Sequence, residues 1–221
     1  MCNLWTTLPV PYRPLLIIPE LTNEDKMEQV LCILLLMVMS QTAAQLLFAG
    51  RCPYQNVVQN FDFSSFAGRW HEIEKYFSFF ELGGRCISSK FFLSSPGDTT
   101  FRVINKQETV FDNRVTTIQG QAVSVSSTSE AKLSITFNNL MIPGLTGARS
   151  DGNYWVLDTN YSNYAIVWSC EDMGFFHTQL LWILMRNRKP NASAVQRVKD
   201  IITSRGLRTS YLQVTDQTNC N

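Results

Sequence analysis

"FAGRWHEIEKYF", Phe66 to Phe77, is the stretch on which the reading of this chain turns. Gly68-Arg69-Trp70 leads into alternating apolar and charged residues, with His71, Glu72 and Glu74 crowded together. His71-Glu72 opens like the zinc-protease motif His-Glu-x-x-His, but the closing position holds Lys75, and that motif needs its histidines one turn apart on a helix. The alternation has the period of a strand, in which side chains two apart share a face. His71 and Lys75 then lie opposite Glu72 and Glu74, and the segment reads as a charged strand beside Trp70 that does no chemistry.

Similar segments follow. "CISSKFFL", "TFRVINKQE", "VTTIQGQAVSV", "AKLSITF", "YWVLDT", "YAIVWSC" and "TQLLWILMR" are rich in Val, Ile, Thr, Phe, Tyr and Trp, with "GG" at Gly83-Gly84 and "SSPGD" among the breaks. With the opening stretch they make eight strands at the spacing of an antiparallel all-β domain. Most connections are too short for the crossover helices of a parallel sheet. One helix is expected at Ser193–Ser204, where Val195, Val198, Ile201 and Ile202 fall at three- and four-residue steps. Ser193 is its expected N-cap and Gly206 its stop.

Eight antiparallel strands can form a sandwich or close into a barrel, and a barrel of eight encloses side chains or one small ligand. The aromatics Phe91, Phe101, Phe137, Tyr154, Trp155, Trp168 and Trp182 spread over the strands and favour a barrel with an apolar cavity. The expected architecture is an eight-stranded antiparallel up-and-down barrel with one C-terminal helix packed outside it.

Composition is that of a globular protein: 45% hydrophobic and 17% charged. Nineteen basic and eighteen acidic residues leave a formal charge of +1, without the basic excess of a nucleic-acid surface. "VLCILLLMVM", Val30 to Met39, is shorter than the ~20 residues that span a bilayer. It suits the apolar region of a secretory signal, with cleavage expected after Ala44 or near Gly50. We therefore divide the chain into an N-terminal extension, residues 1–26, a signal peptide, 27–50, and one domain, 51–221. The competing expectation is a signal-anchor, because Val30 to Ala49 carries no charge.

Of the six cysteines, Cys52, Cys86, Cys170 and Cys220 fall in the expected mature chain. In a secreted domain they imply two disulfides, and spacing alone leaves three pairings open. No two lie close enough for the paired ligands typical of zinc sites. Asn160-Tyr161-Ser162 and Asn191-Ala192-Ser193 are glycosylation sequons. The glycines around Ser150 spell neither a nucleophile elbow nor a phosphate loop, and His71 and His177 are the chain's two histidines, so no enzyme is expected.

Three stretches resemble the lipocalin family, in its branch of apolipoprotein D and insect bilin-binding and Lazarillo-type proteins. "NFDFSSFAGRWHEIEKY" is similar to the first motif, "LDTNYSNYAIVWSC" to the second, with Asn160 where the family has aspartate, and "LLWILMRN" to the third, ending near Arg186. The tail "VTDQTNC" is similar as well. The resemblance implies that Trp70 closes the barrel floor with Arg186 packed across its ring. It implies bridges Cys52–Cys170 and Cys86–Cys220, leaving no free cavity thiol of the kind the family's prostaglandin isomerase uses. It further implies a ligand site at Phe91, Asn105, Phe137, Tyr154 and Trp182, taking a fatty acid, steroid, retinoid or bilin. No cofactor is required; a bilin would be a bound chromophore.

A second class of function is association with a lipoprotein or membrane surface. Leu140, Met141 and Ile142 in one connection, and Phe175 and Phe176 in another, are apolar residues expected at the open end. They fit either a lipid contact or a lid. Met141 and Met173 would also suit a protective, oxidisable role.

Overall fold

Strands form where branched and aromatic residues alternate with polar ones, and Gly, Asn, Asp and Ser break them. The computed structural model describes residues 47–78, 81–137 and 153–220. Expectations placed on residues 1–46 and on the connection holding Leu140, Met141 and Ile142 lie outside the described residues. A short strand, β1 (Leu47–Ala49), precedes a one-turn helix, α1 (Phe63–Phe66). Then come β2 (Gly68–Lys75), β3 (Gly84–Leu93), β4 (Thr100–Thr109) and β5 (Val115–Ser124). They are followed by β6 (Lys132–Phe137), β7 (Tyr154–Thr159), β8 (Tyr164–Asp172) and β9 (Phe176–Met185). Helix α2 (Ala192–Ser204) and β10 (Gln213–Val214) end the described chain.

Each strand from β2 to β9 pairs antiparallel with the next, and β9 returns to β2, with Glu72 opposite Leu184 and Lys75 opposite Trp182. The result is a closed up-and-down barrel of eight strands. Closure leaves no long hydrogen-bonding edge among β2 to β9. Strands β1 and β10 extend the wall, β1 on Phe176–Thr178 of β9 and β10 on Glu74–Lys75 of β2. The sequence reading did not include either, because two or three residues carry no readable period. Gly120 serves the tight wall: a Cβ there would sit 2.1 Å from the Thr136 carbonyl oxygen of β6.

The alternation expected for β2 does not persist. A register shift between Glu72 and Glu74 puts an irregularity into the strand. Glu72 and Lys75, assigned to opposite faces by simple alternation, consequently meet at 3.1 Å, while Glu74 pairs with Lys199 of α2 at 2.8 Å. His71, Glu72, Glu74 and Lys75 are all buried. They are therefore internal groups rather than solvated strand residues.

Helix α2 buries Val198 and Ile202, with Val195 and Ile201 partly covered. Its N-cap is Asn191, two residues ahead of Ser193: the Ala194 N–H donates to Asn191 Oδ1 at 2.8 Å. Asparagine after Pro190 takes the extended conformation a cap requires, and Ser193 donates its hydroxyl to the same oxygen at 3.0 Å. Disulfides join Cys52 to Cys170 and Cys86 to Cys220. They tie the N-terminal segment to β8, and the end of the chain to β3.

Candidate functional site

The floor of the barrel is built from the Gly68-Arg69-Trp70 start of β2. Trp70 is fully buried and donates its indole N–H to the Phe66 carbonyl at 2.9 Å. The Arg186 guanidinium lies 3.7 Å from the centroid of the Trp70 ring. It donates to the carbonyls of Tyr161, Arg69 and Ser65, each at 2.9 Å, and to that of Phe66 at 3.2 Å. One planar cation thus ties together α1, β2 and the β7–β8 turn. Gly68 makes room for it: its φ is +99°, and a Cβ would sit 3.1 Å from Arg186 Nη1. Asp62 caps α1 by accepting from the Ser65 N–H at 3.0 Å, and the Ser65 bonds hold its carboxyl below the usual range.

Above the floor lies a layer of rings. Phe91 is buried, with its ring 5.3 Å from those of Phe66 and Phe101 and 5.9 Å from that of Tyr154. It is thus placed between the floor and the cavity. Asn105, Phe137, Tyr154 and Trp182 line the cavity itself, and the Tyr154 and Trp182 rings stack at 6.4 Å. Ile118, Ile135 and Leu184 complete its apolar wall. The space that a water molecule's centre can visit there is about 40 Å³. Burial raises the Tyr154 phenol, so it stays neutral.

Three polar residues of the lining, Glu72, Glu81 and Ser89, were not foreseen. Strand parity would have brought out Ser89, two residues before Phe91. Glu72, two residues after Trp70 and opposite Leu184, carries the same parity signal, whereas the irregularity beyond it turns Lys75 toward the cavity, and Glu81 comes from the β2–β3 connection with no periodic signal. Lys75 lies between the two acids, 3.1 Å from Glu72 and 2.9 Å from Glu81. Burial, and then the Glu81 carboxylate, push the Glu72 carboxyl above the usual range, against the pull of Lys75. Among the described residues no group of three or more His, Cys, Asp or Glu is placed to hold a metal ion.

At the open end Met173 and Phe175 of the β8–β9 turn and Phe176 at the start of β9 are exposed, Phe175 to 89%. The β4–β5 turn adds Val110 and Phe111, the latter 91% exposed, and Leu82 is exposed on the β2–β3 connection. The sequon residues Asn160 and Asn191 are exposed and share a groove beside α2 near the closed end. Asn160 Oδ1 accepts from the backbone N–H groups of Asn163 and Tyr164 at 2.9 and 3.1 Å.

The family model for the lipocalin / cytosolic fatty-acid binding protein family matches residues 67–219. The chain belongs to the lipocalin family. This lipocalin is similar to apolipoprotein D of Oryctolagus cuniculus, 39% identical over 184 residues that cover 83% of this chain and 91% of that protein. It is 31% identical over 192 residues to the Lazarillo protein of Schistocerca americana, covering 81% and 85% of the two. Insecticyanin from the tobacco hornworm Manduca sexta superposes with a TM-score of 0.63 at 22% identity, over 78% of this chain and 89% of that one. That last likeness bears on the fold alone.

Proposed function

We propose that this lipocalin is a secreted carrier that buries one small hydrophobic molecule, a fatty acid, steroid, retinoid or bilin, inside its barrel. The observation that carries the reading is a cavity walled by Phe137, Tyr154, Trp182, Ile118 and Leu184 above a floor sealed by Trp70 and Arg186. Burial drives binding at about 25 cal/mol per Å² of apolar surface, while Asn105 and Ser89 offer the few polar contacts that orient a ligand. The mechanism is burial in a largely apolar lining, beside four cysteines that are held in bridges. The bridges suit an oxidising, extracellular setting. The pairing of β1 with β9 supports signal cleavage after Ala44, since a cut near Gly50 would remove that strand.

Native mass spectrometry with an absorption spectrum, on protein from its own source, tests the reading. A bound apolar molecule is expected, coloured if it is a bilin. Protein that stays empty and takes up no apolar probe would refute it.

A second reading, association with a lipoprotein or membrane surface, is favoured by the exposure of Phe111 and Phe175 at one end of the barrel. Wild-type protein should float with liposomes and the Phe111→Asp, Phe175→Asp double variant should not. Equal flotation, or none, removes this reading and leaves the carrier reading untouched.

A further inference from the structure

The groove beside α2 has an apolar base and a polar rim. Met185 of β9 and Val198 of α2 are buried at its base, with Tyr164 and Ile201 partly covered next to them. Its rim carries Asn160 and Asn163 from the β7–β8 turn and Asn191 and Arg197 from α2 and its cap, all exposed. The space that a water molecule's centre can visit there is about 480 Å³, against about 40 Å³ in the barrel cavity. The Arg197 guanidinium has no hydrogen-bond or ion-pair partner among the described residues, so its fork of N–H donors is available. A pyranose sugar suits such a surface, because it has an apolar C–H face and an edge of hydroxyls that both donate and accept.

Both sequons open on this groove, and both hold their asparagine in a conformation that spares the atom a glycan uses. Asn191 Oδ1 accepts from the Ala194 N–H at 2.8 Å and from the Ser193 hydroxyl at 3.0 Å, and Asn160 Oδ1 accepts from Asn163 and Tyr164. Neither Nδ2 donates a hydrogen bond among the described residues. Glycosylation replaces one hydrogen of Nδ2 by C1 of N-acetylglucosamine; the lipid-linked diphosphate of the sugar donor leaves from C1 and the proton goes to solvent. The Oδ1 bonds, and with them the helix cap, survive that change. From Asn191 the groove continues along α2, with Ala194, Val198 and Ile201 at three- and four-residue steps and Arg197 beside Val198. Helical side chains lean toward the N-terminus, hence toward Asn191. Asn160 has only Asn163 and Tyr164 of its own segment in the lining.

We propose that the groove is the seat of a glycan carried by Asn191, whose innermost N-acetylglucosamine units lie over Met185 and Val198 and place their hydroxyl and acetamide groups against Arg197. The proposal rests on the secreted reading and adds to it a modification and the surface on which that modification packs. Attachment in the groove keeps the sugar at high effective concentration, so individually weak contacts suffice. Sugar that packs only on the folded protein stabilises it.

Protein secreted by a eukaryotic cell line is compared with protein made in a bacterial periplasm, where neither sequon is used. Glycopeptide masses should show Asn191 occupied in the first. Ser193→Ala removes that sequon and keeps the Asn191 cap; in the eukaryotic product it should lower Tm by about 2 to 4 °C more than in the bacterial one, which reports the lost hydroxyl alone. Arg197→Ala should lower Tm in the glycosylated protein and leave it unchanged in the Ser193→Ala background, a non-additivity that a glycan acting only on the unfolded chain does not produce. Ser162→Ala, which removes the Asn160 sequon, should leave both differences in place. Secreted protein bare at Asn191 would overturn the proposal while leaving the secreted reading standing. Equal Tm losses in the two products, or strict additivity of Arg197→Ala and Ser193→Ala, would do the same. Protein that stays inside the cells would sink the secreted reading and this proposal with it.

Discussion

Replacing Arg186 with alanine removes a cation from the Trp70 ring and four donated hydrogen bonds from the barrel floor. A partly desolvated cation over an indole contributes about 1 to 2 kcal/mol. The carbonyls it serves lie near the surface and regain water once the side chain is gone, so each bond counts for ~0.5 kcal/mol, the low end of the net range. Together Arg186→Ala should cost about 3 to 4 kcal/mol, or roughly 10 °C in Tm for a domain of this size. Arg186→Lys keeps the charge, but one ammonium cannot span four carbonyls, so about half the loss should remain. Gly68→Ala should destabilise as well, since its Cβ would crowd Nη1 at a positive φ; part of its cost should vanish when Arg186 is already alanine. Urea denaturation followed by circular dichroism, with disulfides intact, measures all four proteins. Ligand affinity should change little, because Phe66, Phe91 and Phe101 separate the floor from the cavity. A loss below about 1 kcal/mol for Arg186→Ala, or strict additivity with Gly68→Ala, would refute the account of the floor.

Trp182→Ala should weaken binding of an apolar ligand on the order of tenfold to a hundredfold while the far-ultraviolet spectrum keeps its β signature, as a titration against wild type would show. Burial, with Arg188 and Arg69 nearby, holds His71 down to about 4, whereas the unfolded chain takes up that proton near 6.5. Its contribution is therefore fully present above pH 6.5 and is lost as pH falls through that window toward 4; urea midpoints of a His71→Gln variant should fall less steeply with acid. Glu72 acts in the opposite sense: its carboxyl is held above its ordinary value of 4.5, at about 8, so stability is lost as pH rises through that window, and Glu72→Gln should flatten the same curve there. Cys86→Ser with Cys220→Ser opens a bridge between residues 134 apart and should cost roughly 3 to 5 kcal/mol in thermal or urea unfolding.

The eight barrel strands were legible because each signals itself locally. "TFRVINKQE" alternates and stops before Val110-Phe111-Asp112, and the observed β4 runs Thr100–Thr109. Helix α2 was legible for the same reason, one apolar residue per turn, but its cap was not. Ser193 and Asn191 are both good cap residues, and in the fold Asn191 takes the extended cap conformation while Ser193 already lies in the first helical turn. The apolar side of the cavity was partly legible, since Trp182 and Leu184 share strand parity and both line it. Phe91 has the same chemistry as its neighbours, yet whether it faces a ligand or seals the layer beneath depends on how high Phe66 and Phe101 stand, which no strand records by itself.

By itself, then, the order of residues determined the all-β class, the eight strands and the outer helix, while the floor role of the Gly-Arg-Trp opening came from its resemblance to the family's first motif. Only the tertiary structure decided that Glu72, Lys75 and Glu81 form one buried cluster, that Glu74 serves α2 instead, and that β1 and β10 complete the wall. The physical reason is range. Strand periodicity and turn chemistry act over a few neighbouring residues, whereas a charge cluster depends on the register between distant segments, and one irregular residue in β2 is enough to carry a glutamate from one face to the other.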